Sequence, residues 1–172
     1  FYGIKTVYAC ITPDKFDPDL GTAGEFKSMV EEAEQRGIKI FLDVITHGVM
    51  NNSPLIEQHP DWFKGGTWDM TDYDYSNREF QQWWINVWVN YVDEYGVDGF
   101  RLDVPVPEQM HLWDSIALKC REMGKPVVIF PECATVYHFG QKDYINFSWD
   151  IGGEFSPDPR YKSVLISWHD LG

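Results

Sequence analysis

One pattern limits what this chain can fold into. Short apolar, β-rich runs recur, and each closes on a carboxylate. Ile-Lys-Ile-Phe-Leu-Asp43, Asp-Gly-Phe-Arg-Leu-Asp103, Val-Val-Ile-Phe-Pro-Glu132 and Val-Leu-Ile-Ser-Trp-His-Asp170 all follow it. The first three are separated by stretches with helical spacing. Strands that alternate with helices build βαβ units and a parallel sheet. Polar residues gathered at the C-terminal ends of parallel strands mark the working face of a (β/α)8 barrel or of a doubly wound sheet. No GxGxxG motif and no phosphate loop follows any of these strands, so a dinucleotide fold is disfavoured. The expectation is an α/β fold, a (β/α)8 TIM barrel. A whole barrel needs roughly 250 residues, whereas this chain has 172 and about five strands. The barrel is therefore expected to be incomplete here, with the remainder supplied by a longer parent chain. A first residue other than Met, and an end two residues beyond Asp170, fit the same expectation.

The helices are legible from their ends. Thr22 followed by Glu25 reads as a capping box, and Gly37 as a stop, so a helix is expected from about Ala23 to Arg36. Phe26, Met29, Val30 and Ala33 would form its apolar stripe. Ile38 to Val44 reads as a strand. Arg78 to Tyr95 reads as a second helix, with Trp84, Val87, Trp88 and Tyr91 inward and Gly96 as its stop. Val97 to Asp103 follows as a strand, Glu108 to Met123 as a third helix, and Val127 to Pro131 as another strand. Tyr144 to Phe147 and Lys162 to Trp168 complete the expected strands, with a loop at Gly152 to Arg160 between them. Gly48 to Asn77 shows neither period, and so long a loop in a compact domain is usually functional.

Chemistry points to the strand ends. Alternation puts Arg101 and Asp103 on one face of their strand and Phe100 and Leu102 on the other. A carboxylate at the end of an apolar strand stays charged only when it is paired. Arg101 supplies that pair, so Asp103 is the candidate nucleophile. Glu132 has Phe130 and Pro131 before it and no arginine beside it, which suits a proton donor. Two carboxyl groups about 5 Å apart across a glycosidic bond give the retaining mechanism. Asp170 would hold sugar hydroxyls and stabilise the developing cation.

Composition narrows the partners. A formal charge of −13 argues against nucleic acid and anionic membranes. No apolar run is long enough to span a bilayer. Cys10, Cys120 and Cys133 show no metal-binding spacing. Aromatic residues make up 16% of the chain, and eight are Trp. Trp83, Trp84 and Trp88 suit a core; Trp62, Phe63 and Trp68 suit either loop packing or stacking on the apolar faces of sugars. Two other readings stand beside the glycosidase. One is a metal-dependent TIM-barrel hydrolase using His47, His169 and the aspartates, which Arg101 beside the cluster would oppose. The other is a catalytically silent relative that binds carbohydrate or serves as a scaffold.

Taken together and in order, these motifs resemble the alpha-amylase family, glycoside hydrolase family 13. Leu42-Asp43-Val44-Ile45-Thr46-His47, Gly99-Phe100-Arg101-Leu102-Asp103, Phe130-Pro131-Glu132 and Ser167-Trp168-His169-Asp170 are similar to its four strand-end motifs. The stretch from Asp19 to Lys27, before Arg36-Gly37-Ile38, is similar to the helix that precedes its third strand. The resemblance implies Asp103 as nucleophile, Glu132 as acid/base and Asp170 as transition-state stabiliser. It makes Arg101, His169, His47 and Asp43 the substrate-side residues, and it implies retaining cleavage of α-glucosidic bonds. It also implies that the chain covers about barrel strands three to seven. Residues 48–77 would then be a short domain-B-like insert between the third strand and third helix. The chain departs from the family in two places. His47 and Gly48 stand where the family has Asn and His, so no metal site or cofactor is assigned, and calcium is the one ion the resemblance leaves open. Val106 and Pro107 stand where Lys and His are frequent, which favours oligosaccharides or another α-glucoside over long starch.

Overall fold

The computed structural model describes residues 2–3, 8–105 and 107–131. The expected strands at 144–147 and 162–168, the loop at 152–160, and Glu132, His169 and Asp170 lie outside these residues. The described elements, in order, are β1 (Tyr2–Gly3), β2 (Cys10–Thr12), α1 (Ala23–Gln35), β3 (Phe41–Ile45), β4 (Gly48–Met50) and α2 (Pro54–Gln58). They continue with β5 (Met70–Asp72), α3 (Arg78–Tyr95), β6 (Gly99–Asp103), α4 (Met110–Glu122) and β7 (Val128–Pro131). Single 3-10 turns occupy Pro60–Trp62 and Pro107–Gln109.

The expected parallel sheet is present as β3-β6-β7, with β6 in the middle. Its register sets Asp43 beside Arg101, Ile45 beside Asp103 and Phe130 beside Arg101. Each parallel connection carries a helix, α3 before β6 and α4 before β7. Both helices cover one face of the sheet. The ring of Phe100 lies 5.6 Å from Trp88 of α3 and 5.5 Å from Trp113 of α4. Trp84, Trp88, Trp113, Phe80, Phe100 and Leu102 are all fully buried. Burying each such side chain contributes about 1.5–3 kcal/mol, so this aromatic layer is the main source of cohesion.

The helix ends form for the reasons the sequence gives. The Thr22 hydroxyl accepts from the Glu25 N–H, and the Glu25 carboxylate accepts from the Thr22 N–H at 2.8 Å. Asn77 caps α3 by accepting from the N–H groups of Glu79 and Phe80. Gly96 ends α3 at φ 76°, a conformation that costs little only without a Cβ.

Three local expectations change. The first strand begins at Phe41 rather than Ile38, and Ile38 is 54% exposed. Met29, placed in the inward stripe of α1, is 48% exposed, and of that helix only Val30 is fully buried. Residues 48–77 are not irregular. β4 pairs antiparallel with β5 in register Gly48↔Asp72, and α2 and a 3-10 turn lie between them. Gly48 is required there, since a Cβ would meet the Thr71 carbonyl oxygen at 2.2 Å. Among the described residues, no helix is long and apolar enough to cross a membrane.

Candidate active site

The face of the sheet opposite the helices carries the charged residues. Arg101 extends from the middle of β6, two residues before Asp103 and level with Asp43 on β3. Its Nη1 donates to Asp103 Oδ1 at 2.6 Å and to Asp43 Oδ1 at 2.7 Å. One guanidinium nitrogen thus bridges two carboxylates. The side chains of Arg101 and Asp103 are only 12% and 14% exposed, while that of Asp43 is 44% exposed. Charge-assisted bonds between poorly solvated partners are the strong kind. They also offset a desolvation cost of several kcal/mol per ion. Removing the arginine would take away the cation that both carboxylates share.

The strand end below this pair is fastened from β3. The Thr46 hydroxyl, fully buried, donates to the Asp103 carbonyl at 2.6 Å and bonds the Val104 carbonyl at 3.1 Å. The Tyr75 hydroxyl donates in turn to the Thr46 carbonyl. Val104 has φ 43°, a left-handed conformation that costs a β-branched residue about 1–3 kcal/mol. The Thr46 bond holds that turn, and the turn makes the chain leave the sheet immediately after Asp103. Sequence reasoning did not single out Thr46 or Tyr75. The signal available was a hydroxyl residue next to a strand-end motif.

His47 follows Thr46 but makes no hydrogen bond with the three charged residues. Its Nδ1 is enclosed without a hydrogen-bond partner. Burial pushes its pKa below the ordinary histidine value, and the Asp72 carboxylate opposes that shift. Its ring meets Trp68 edge to face at 4.8 Å. Of the aromatic candidates in this segment, Trp62 is 2% exposed and stacks on His59 at 3.7 Å, so it belongs to the core. Trp68 is 63% exposed.

Two acidic residues of the segment, Asp72 and Asp74, have protein partners. Asp72 accepts from the Thr67 N–H and hydroxyl. Asp74 accepts from Lys64 and from the Ser76 N–H and hydroxyl. Among the described residues, no group of three or more His, Cys, Asp and Glu side chains could hold a metal ion. The site in view is one of Asp43, Arg101 and Asp103 brought together on parallel strands, with Asp103 at the C-terminal end of β6.

No family model matches the chain. Over 135 residues, 69% of the chain, it is 29% identical to an alpha-1,4-glucan:maltose-1-phosphate maltosyltransferase of Chlorobaculum tepidum. Over 168 residues, 84% of the chain, it is 26% identical to an intracellular maltogenic amylase of Bacillus subtilis. The chain spans only 20% and 27% of the length of these two relatives. Among solved structures, it matches a noncanonic maltogenic alpha-amylase from Thermotoga neapolitana with a TM-score of 0.73 and 24% identity. That match covers 86% of this chain and 38% of the other. The structural likeness carries the fold: the described α/β arrangement is part of a barrel of that kind.

Proposed function

The chain carries an alpha-amylase-family (glycoside hydrolase family 13) domain over part of its length, and on that premise we propose that it contributes the catalytic centre of a retaining glycosidase or related transglycosylase. The substrates are oligosaccharides or α-glucans joined by α-glucosidic bonds. In this reading the chain spans barrel strands three to seven, residues 48–77 are a short domain B walling the cleft, and the parent chain completes the ring.

Asp103 is the nucleophile. Its carboxylate attacks the anomeric carbon while the bond to the leaving oxygen breaks, and Glu132 gives that oxygen its proton. Glu132 then takes a proton from water or from a sugar hydroxyl, which attacks the same carbon and releases Asp103. Asp170 stabilises the oxocarbenium-like transition state. His169, His47 and Asp43 contact substrate hydroxyls. Glu132, His169 and Asp170 enter through their sequence motifs alone.

The observation that supports the reading is the bridge from Arg101 Nη1 to Asp103 Oδ1 at 2.6 Å. It holds a poorly solvated carboxylate ionised at the C-terminal end of the central parallel strand, where a nucleophile must be charged to attack. The enzymes named among the relatives, a maltosyltransferase and an amylase, differ in what accepts the sugar; both outcomes share the first half of this mechanism.

The test is Asp103→Asn in the full-length protein, assayed on a panel of α-glucosides. We expect a loss of about 10⁴-fold or more in kcat/KM. Turnover within tenfold of the parent would remove Asp103 as the nucleophile. A silent carbohydrate-binding relative would instead bind the sugars and turn over none of them before any substitution.

A further inference from the structure

The segment between β4 and β5 contains two tryptophans with opposite fates. Trp62 is enclosed in the core, and Trp68 projects its indole into solvent. Exposure of one apolar ring is ordinary. The backbone that displays it is not. Trp68 has φ 53° and Asp69 has φ 61°, two successive left-handed residues, neither of them glycine. Such residues cost about 1–2 kcal/mol each, and strain of this sort persists only where the surroundings fix it.

The surroundings here do so. The Thr67 N–H donates to Asp72 Oδ1 at 3.1 Å, and the Thr67 hydroxyl donates to Asp72 Oδ2. The Met70 N–H donates to the Thr67 carbonyl at 3.0 Å, closing the turn that carries Trp68 and Asp69. The Lys64 N–H donates to the Asp72 carbonyl at 2.9 Å. A Cβ on Gly66 would meet the Met70 carbonyl oxygen at 2.8 Å, so the loop closes tightly on β5. The ring itself is braced by His47, edge to face, with the rings 74° apart. His47 directly follows Thr46, whose hydroxyl fastens the main chain at Asp103. The indole is thus linked through two residues, His47 and Thr46, to the strand end that carries the candidate nucleophile.

We propose that Trp68 is a stacking platform for a pyranose ring of an α-gluco-oligosaccharide, the ring beside the one that is cleaved, with His47 as the residue that holds the indole in place. A flat, rigid indole presents apolar area to the C–H face of a sugar with little conformational entropy to lose. This proposal rests on the carbohydrate reading above and assigns that site a specificity-determining residue.

The experiment compares the full-length protein with Trp68→Ala and Trp68→Phe, using maltotriose, panose and isomaltotriose as probes. For the trisaccharide turned over best, we expect Trp68→Ala to raise KM about tenfold with kcat within about twofold. Trp68→Phe should restore KM to within about threefold. A thermal midpoint within about 2 °C of the parent would show that the exposed ring carries no fold stability. Unchanged KM in Trp68→Ala, with the parent active, overturns the platform and leaves the catalytic reading intact. A fall in kcat with KM unchanged overturns it as well, since that is not the mark of a binding residue. Neither binding nor turnover of any of the three sugars by the parent protein would overturn both readings together.

Discussion

The two faces of β6 do different work within five residues. Phe100 and Leu102 have no exposed surface and pack under α3 and α4. Arg101 and Asp103, interleaved with them, turn to the other face and meet Asp43. The packed face is held by area, which is non-directional and tolerates rearrangement. The charged face includes two directional bonds from one nitrogen, which tolerate little displacement. Stability and chemistry are therefore separable along a single strand, residue by residue.

Substitutions on the two faces give the largest expected contrast. Asp103→Asn should cost about 10⁴-fold or more in kcat/KM while moving unfolding free energy by about 1 kcal/mol or less, because Arg101 keeps Asp43 as a partner. Trp113→Ala should do the reverse. It removes a fully buried ring that contacts Phe100, Trp88 and Trp84, at a cost of about 3–5 kcal/mol. Denaturant unfolding and kinetics on both variants check the pair. If both lose stability alike, the faces are not separable.

Gly99 sharpens the comparison because it starts the charged face without a side chain. The rings of Phe41 and Phe130, on the strands either side of it, lie 5.7 Å apart. A Cβ on Gly99 would stand 2.0 Å from the Val128 carbonyl oxygen and 2.7 Å from the Phe41 ring. Gly99→Ala should therefore destabilise by about 3 kcal/mol, by spreading the β6–β7 ladder. A neutral Gly99→Ala would mean that the three strands lie further apart than their register implies.

These contrasts also explain what could be read from the chain in advance. The alternation of β6, the bounds of α3 and the capping box at Thr22 follow from neighbours in sequence, so they were legible. The parallel order β3-β6-β7 followed from the repeated strand-helix spacing. The extra turn before β3 was not legible, because Ile38 and Ile40 have strand propensity but lie outside the register of the described sheet, which begins at Phe41. Residues 48–77 concealed their elements because each is three to five residues long, too short for any period to show. Trp62 and Trp68 differ by tertiary position alone. The roles of Thr46 and Tyr75 depend on bonds spanning 57 and 29 residues, which no local pattern encodes. The pairing of Arg101 with Asp103 follows from alternation along β6, whereas the bond from Arg101 to Asp43 spans 58 residues and depends on the register of β3 with β6; Glu132, His169 and Asp170 lie outside the described residues.

A smaller effect tests whether the helix behind the packed face owes its start to a cap or to burial. Asn77 accepts from two N–H groups of α3 and donates to Asp61. Asn77→Ala should cost about 1 kcal/mol, and Asn77→Asp, which keeps the acceptor, should recover most of it. Equal losses in the two variants would assign the effect to the Asp61 contact instead.

The smallest expected effect concerns the loop that leads into that helix, and it is set by pH. The Ser76 hydroxyl and N–H, and then Lys64, hold the Asp74 carboxyl down at about 2, against an ordinary value near 3.8. A carboxylate whose pKa is lowered by folding contributes its stability above the unfolded value and loses it as pH falls through the folded one. The contribution of Asp74 should thus be complete above pH ~4 and fade between about 4 and 2. Asp74→Asn removes it at every pH, so the stability gap between parent and variant should be constant above pH ~4 and close below it. Since this side chain is partly solvated, the gap itself should be small. A gap that stays constant down to pH ~2 would show that Asp74 acts through contacts that an amide does not reproduce and protonation does not remove, and not through its charge.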